Sequence, residues 1–206
     1  MRGLLPRVGA IAAAVLFVGA CAAEPDAGTA HQDEVVTIQA DYPAYETADA
    51  LYGAATLVID GQLTGASKVL REVPDPNAAG SDPKLNPNAG APAGKAQAAQ
   101  PPDSTIVTVY EVKVLAVHKG QAKVGGTIDI KTLGGVFDGV TYKEIGVSPL
   151  KSGQPYLLFL ETYPDSPAAL LNPEQAQYAI GADGGVTALP GNPLKLTRAT
   201  LDRLTR

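Results

Sequence analysis

The sequence predicts an all-β domain, folded as a barrel of five or six strands with short helices at both ends. Three segments support this prediction. Residues 104–119 form the longest β-rich run and carry apolar side chains on both faces, residues 127–133 alternate apolar and polar side chains, and residues 155–160 are apolar throughout. A long strand that changes its buried face along its length is typical of a sheet that curls into a barrel.

Two elements are predicted before the long strand. Thr47 is expected to cap a short helix that extends to Ala55, and residues 56–72 have the alternation of a strand. Residues 73–103 then interrupt the domain with 31 residues, of which seven are proline, three glycine and eight alanine. Because this composition favours disorder, we interpret the segment as an expanded hairpin loop that joins two paired strands.

Three elements are predicted near the carboxyl terminus. Short strands at 176–180 and 185–189 flank a stretch with the residues of a tight hairpin turn. Thr197 is expected to cap a final helix, which buries Leu201 and Leu204 on one side. The basic residues at its end are expected to interact favourably with the helix dipole.

The amino-terminal segment has the parts of an export signal. Arg2 and Arg7 form a positively charged region, residues 8–18 form an apolar run too short to span a bilayer, and Val18-Gly19-Ala20-Cys21 ends in the single cysteine of the chain. This tetrapeptide resembles the lipobox of bacterial lipoproteins. The resemblance implies that the preceding peptide is removed, that the Cys21 thiol receives a diacylglyceryl group, and that the new amino terminus is acylated, for example with palmitate.

The lipobox implies a location at the cell membrane, with the chain on its extracytoplasmic side. An uncleaved anchor and an ordinary signal peptide are the alternatives. A single, acylated cysteine leaves no thiol for a disulfide, a disulfide-linked partner or a thiolate zinc site. With only two histidines, His31 and His118, the sequence predicts no metal site and no cofactor.

The acidic residues are distributed unevenly. Without Arg2 and Arg7, 14 basic residues face 21 acidic ones, so the mature chain has a net charge of −7. Seven acidic residues and no lysine or arginine lie between Cys21 and Asp49, which leaves the rest of the chain with 14 residues of each sign. A neutral domain has no electrostatic footprint for nucleic acid, so nucleic-acid binding is excluded.

The predicted organisation is a signal peptide at 1–20, an acidic flexible tether at 21–46 and a single domain at 47–206. Residues 22–33 are small, acidic or turn-forming and show no apolar periodicity. Residues 35–38 are β-rich but short, and both an edge strand and the end of the linker fit them.

A succession of motifs in the predicted strands resembles bacterial exported domains with the OB-type barrel of the netrin-like and tissue-inhibitor-of-metalloproteinase superfamily. The resemblance covers about residues 50–190 and implies an OB-like barrel, with an immunoglobulin-like sandwich as the alternative. Inhibitors of that superfamily chelate zinc through a free amino-terminal cysteine held by disulfides, whereas Cys21 is expected to be acylated, so that mechanism is not carried over. The motifs are Leu57-Val58-Ile59-Asp60-Gly61-Gln62-Leu63-Thr64-Gly65, Val112-Lys113-Val114-Leu115-Ala116-Val117-His118-Lys119-Gly120, Gly134-Gly135 and Tyr156-Leu157-Leu158-Phe159-Leu160.

No catalytic residue is predicted. A hydrolase needs a nucleophile, a base and an orienting group, and the only bases at neutral pH are His31 in the tether and His118 near a strand end. His118 is expected to be a solvated residue on the rim of the barrel. The carboxylates of the domain lie mostly beside turns or on strand exteriors, where solubility explains them.

Phe137 and Tyr142 are the candidate binding residues. They flank the turn-forming pair Asp138-Gly139, and they form either a binding rim or a cap of core residues over the open end of the barrel. The sequence thus predicts a lipid-anchored interaction module of the bacterial cell envelope, not an enzyme, whose partner is a protein or a glycan. The alternative is a lipid-anchored envelope hydrolase that uses dispersed carboxylates.

Overall fold

The computed structural model describes residues 34–73 and 104–206, and these form an all-β domain with two short helices. Cys21, the signal peptide and nearly all of the predicted insertion at 73–103 lie outside the described residues. In chain order the elements are β1 (Val35–Ile38), α1 (Ala48–Ala54), β2 (Leu57–Glu72), β3 (Thr105–Lys119), β4 (Thr127–Leu133), β5 (Gly135–Phe137), β6 (Val140–Glu144), β7 (Pro155–Glu161), β8 (Ala168–Leu170), β9 (Gln177–Ile180), β10 (Val186–Ala188) and α2 (Arg198–Leu204).

Seven strands form one sheet in the order β10, β9, β7, β2, β3, β4, β8, and β7 also pairs with β8. All of these pairings are antiparallel except that between β4 and β8. The predicted hairpin is confirmed, since β2 and β3 pair with Glu72 opposite Thr105. Three register shifts interrupt this ladder, which is where long strands bend.

A second, three-stranded sheet has the order β1, β6, β5. β5 and β6 form a hairpin around Asp138 and Gly139, whose φ angles of 50° and 80° suit a tight turn between twisted strands. The sequence predicted this turn but neither flanking strand, and it also missed β8. β5 and β8 have three residues each, which is too short for a period of two to be visible.

The domain begins earlier than predicted, so the tether boundary at residue 46 is corrected. β1 pairs in parallel with β6, which decides for the edge strand at Val35–Ile38. The Tyr42 hydroxyl donates to Glu144 Oε1 at 2.6 Å, and the Tyr45 amide donates to Gln175 Oε1 at 2.8 Å. The sequence of segment 34–46 shows only an acidic composition typical of a tether, and this composition gives no indication of these long-range contacts.

β7 is the centre of the core, as its apolar sequence predicted. Leu157, Leu158 and Phe159 are fully buried, because elements cover the strand on both sides. Full burial of each such side chain contributes about 1.5–3 kcal/mol. The Phe159 and Tyr178 rings pack edge to face with their centroids 5.9 Å apart.

Both predicted helix caps are confirmed. The Thr47 side chain accepts a hydrogen bond from the Ala50 amide at the start of α1, and the Thr197 side chain accepts one from the Thr200 amide at the start of α2. Each helix buries one leucine completely, Leu51 in α1 and Leu201 in α2. Neither described helix has the length and apolar character needed to cross a membrane.

Candidate functional site

The candidate site lies between the two sheets, where β4 leads into β5. At this junction Gly134 has a φ of +87° and Gly135 a φ of +136°. A Cβ on Gly134 would meet the Tyr142 carbonyl oxygen, and one on Gly135 would collide with Thr108 Oγ1. The Thr108 hydroxyl instead donates to the Gly134 carbonyl at 2.6 Å. Glycine is required here because the chain crosses from one sheet to the other at close range.

A cavity of about 270 Å³ lies at this crossing, and we call it the inter-sheet cavity. β6 supplies Tyr142 and Glu144, and β9 supplies Gln177. The exposed residues Lys143 and Pro149 also line the cavity, so it opens to solvent on that side. Much of the remaining wall is apolar and includes Leu133, Val147, Leu150 and Leu170.

Glu144 is the buried acid of this cavity. Glu144 is only 6% exposed, and its Oε1 accepts the hydrogen bond from the Tyr42 hydroxyl. Its Oε2 is buried and has no hydrogen-bond partner within residues 34–73 and 104–206. Burial raises the pKa of Glu144, the hydrogen bond from Tyr42 opposes this effect, and the nearby charge of Glu174 adds to it.

Gln177 presents a second free acceptor. It is 1% exposed, and its Nε2 donates to the Ser148 carbonyl at 2.9 Å and to the Pro173 carbonyl at 2.6 Å. Because both partners are acceptors, the amide cannot be turned around, and the oxygen must be the remaining atom. Gln177 Oε1 is buried and has no partner in the described part of the chain.

A second cavity of about 260 Å³ adjoins the first. Thr132, Leu133 and Leu170 line both, while Tyr42 lines only the second and Glu144 only the first. The hydrogen bond between Tyr42 and Glu144 therefore connects the walls of the two cavities. The second cavity is also lined by Lys131 and Glu72, which form an ion pair at 3.2 Å.

The two residues predicted as a binding rim have different environments. Tyr142 is half-buried and lines the inter-sheet cavity. Phe137 is half-buried at the end of β5, and the Arg71 guanidinium lies 5.0 Å from its ring centroid. The structure thus places both on one hairpin and brings only Tyr142 to the cavity.

The acceptors of the cavity were missed by the sequence analysis. The sequence analysis did not single out Glu144, although alternation along a strand at 140–144 would have put it on the same face as Tyr142. Nothing local to Tyr42 or Gln177 indicates that they meet this cavity.

His118 is not the solvated rim residue that was predicted. Its side chain is 18% exposed, and its Nε2 lies 2.9 Å from Asp60 Oδ1. Asp60 Oδ2 accepts from Arg198 at 3.2 Å, and Arg198 Nε donates to the Gly184 carbonyl at 3.1 Å. These side chains form a partly buried hydrogen-bonded cluster that joins β2, β3 and α2, and none of His118, Asp60 and Arg198 lines the inter-sheet cavity.

The described residues contain no group of three or more His, Cys, Asp or Glu side chains placed to hold a metal ion. No family model matches the sequence, and neither a curated protein nor a solved structure matches it. Glu144 and Gln177 line this largely apolar cavity, and each has a buried oxygen without a partner in the described part of the chain, so the cavity is suited to bind a molecule that donates hydrogen bonds.

The burial of Glu144 predicts a particular dependence of stability on pH. Because its pKa is raised in the folded state, its contribution to stability is complete below the ordinary value near 4.5 and is lost as pH rises through the raised value. Glu144→Gln keeps the acceptor for Tyr42 and removes the charge. We expect the free energy of unfolding of this variant, relative to the parent, to increase with pH in urea titrations above pH 4.5.

Glu174→Gln is the companion variant, since Glu174 makes the smallest of the three contributions to that pKa. Its free energy of unfolding, relative to the parent, should also increase with pH, but by less than that of Glu144→Gln. Parallel pH profiles for the parent and Glu144→Gln would contradict the burial of an ionisable carboxyl at this position.

Proposed function

We propose that this protein is a lipid-anchored binding module on the extracytoplasmic side of a bacterial cell membrane. The observation that carries the binding function is the pair of buried acceptors, Glu144 Oε2 and Gln177 Oε1, which have no partner within the described residues. A buried polar atom without a hydrogen bond costs about 1–3 kcal/mol. A ligand that donates to both oxygens would recover this free energy on binding. The anchor rests on the resemblance of Val18-Gly19-Ala20-Cys21 to a lipobox.

We propose further that the domain is an OB-like barrel, in keeping with the resemblance to the netrin-like superfamily. The support is the pairing of β8 with both β4 and β7, so that β2, β3, β4, β8 and β7 are hydrogen-bonded in a ring of five. OB folds are five-stranded barrels of this kind. In an immunoglobulin-like sandwich the two sheets stay separate, and a ring of pairings is not expected.

The face that meets the partner is the β5–β6 hairpin. It provides Tyr142 to the wall of the inter-sheet cavity and leaves Val136 62% exposed. Phe137 follows Val136 on β5 and points to the opposite face of the strand, so the hairpin carries apolar or aromatic side chains on both faces. OB-type barrels commonly bind through a strand face and its bordering loops. The partner class is a protein or glycan of the cell envelope.

This function is tested by capture of a partner from envelope extract with the full chain. We expect the Phe137→Ala, Tyr142→Ala double variant to lose a partner that the parent captures, because both aromatic contacts are removed. Tyr163→Ala is the matched control, since Tyr163 is 42% exposed and lies outside the hairpin. Far-UV circular dichroism and thermal unfolding establish that the variants are folded.

Two results would argue against the module. The first is capture that survives the double variant or is lost equally in Tyr163→Ala. The second is turnover of an envelope substrate by the purified protein that Glu144→Gln abolishes, since this would make the protein a hydrolase.

A further inference from the structure

We propose that the inter-sheet cavity binds a primary ammonium group carried on a short apolar body, with Glu144 as its counter-ion. This inference rests on the proposed binding function and specifies the chemistry of the ligand. Three properties of the cavity support it: an uncompensated carboxyl, the number of free acceptors, and the apolar wall.

The Glu144 carboxyl has no cationic partner in the described part of the chain. The ion pairs there involve Asp60, Glu72 and Asp49, and none includes Glu144. Lys143, its neighbour on β6, lines the cavity on its open side, but it is exposed and forms no ion pair with Glu144. A buried carboxyl that lacks a counter-ion must take up a proton or meet a cation from outside.

The number of free acceptors selects among possible ligand groups. Glu144 Oε2 and Gln177 Oε1 each require a donor, and the orientation of the Gln177 amide is set by its two bonds to carbonyl oxygens. A hydroxyl has one donor, and a carboxylate has none. Water has two donors but leaves the charge of Glu144 uncompensated. A primary ammonium has three donors and the opposite charge.

The rest of the cavity selects the body of the ligand. Leu133, Val147, Leu150 and Leu170 line it, and they favour a short hydrocarbon over a polar group. The volume of about 270 Å³ lies just below the range of about 300–1,000 Å³ that is typical of pockets for drug-sized ligands. The cavity therefore suits a small amine, or the amine-bearing end of a larger molecule that continues through the opening near Lys143.

The test compares three probes of the same chain length: n-butylammonium, 1-butanol and butyrate. Each is titrated against the full chain in detergent near neutral pH, and binding is measured from the NMR relaxation of the probe, with empty micelles as the background. We expect the ammonium to bind about ten-fold or more tightly than the alcohol, because a charge-assisted hydrogen bond is the stronger one. Butyrate should not bind.

Glu144→Gln is expected to weaken ammonium binding by about ten-fold or more, while Glu174→Gln changes it by no more than about two-fold. Glu174 is the matched control because it is an exposed carboxylate that lies near Glu144 and does not line the cavity. Thermal unfolding of both variants establishes that they are folded, and the comparison of probes on the unaltered protein does not depend on either variant.

The outcomes separate this inference from the function on which it rests. Equal affinity for the ammonium and the alcohol, or unchanged ammonium binding in Glu144→Gln, would overturn the ligand class and leave the cavity as a binding site. If no probe binds but the hairpin double variant still loses its captured partner, the cavity inference is overturned and the module stands. Failure of both experiments would overturn both.

Discussion

Replacement of Cys21 by alanine is expected to move the protein from the detergent phase to the aqueous phase in a detergent partitioning experiment. Cys21 is the single cysteine, so the variant has no thiol that can receive a diacylglyceryl group. Each buried CH₂ group of an acyl chain contributes about 0.8 kcal/mol to membrane binding, and two or more chains hold a protein stably at a membrane. Without acyl chains, the apolar run at 8–18 is the segment that remains to contact the bilayer. Mass spectrometry of the parent should show the added acyl groups and an amino terminus at Cys21.

Ala22→Ser is the control for this experiment, because it changes the neighbouring residue and leaves the thiol in place. It should remain in the detergent phase. Retention of Cys21→Ala in the detergent phase, to the same extent as the parent, would mean that the apolar segment itself is the anchor and that the lipobox prediction is wrong.

Replacement of Gly135 by alanine is expected to cause a large loss of stability. The residue has a φ of +136°, and a Cβ there would collide with Thr108 Oγ1 and lie 3.0 Å from Val69 Cγ1. Backbone strain contributes about 1–3 kcal/mol and overpacking about 1–3 kcal/mol more. Urea denaturation should therefore show a decrease of about 2–6 kcal/mol in the free energy of unfolding.

Gly139→Ala separates strain from collision. Gly139 also has a positive φ, of +80°, but no atom lies within 4 Å of the position of its missing Cβ. Its replacement should cost only about 1–2 kcal/mol, the penalty of the left-handed conformation. Equal losses for the two variants would show that close contact between β5 and β3 is not what requires glycine at residue 135.

Elements with long or chemically specific local signals were predictable from the sequence. The apolar run at 155–160 predicted the central strand β7, and Thr47 and Thr197 predicted both helix starts, because a side-chain oxygen at the N-cap acts on the amides of its own first turn. The pairing of β2 with β3 across the insertion was also predictable, since two long β-rich segments flank it.

Elements that exist only through their partners were not predictable. β8 has three residues and is a strand because it lies between β4 and β7. β1 was one of two alternatives until its parallel pairing with β6 was known. In each case the hydrogen bonds that define the strand come from residues far away in the chain, and no local pattern encodes them.

The candidate site shows the same division. Turn chemistry in the sequence identified the hairpin of Phe137 and Tyr142, and strand alternation at 140–144 could have placed Glu144 beside Tyr142. That His118 meets Asp60 rather than solvent depends on how β2, β3 and α2 pack, since Arg198 reaches Asp60 across 138 residues of chain.

By itself, the sequence determined the all-β class, the capped helices and the central strand, because these depend on the solvation and hydrogen bonding of residues near one another in the chain. Tertiary structure alone decided which polar atoms are deprived of water. Glu144 is buried because Tyr42, 102 residues earlier, approaches it and because the seven-stranded sheet lies across the inter-sheet cavity from β6. Burial of a carboxyl is a property of the elements that surround it, and so the inter-sheet cavity became visible only when both sheets were in place.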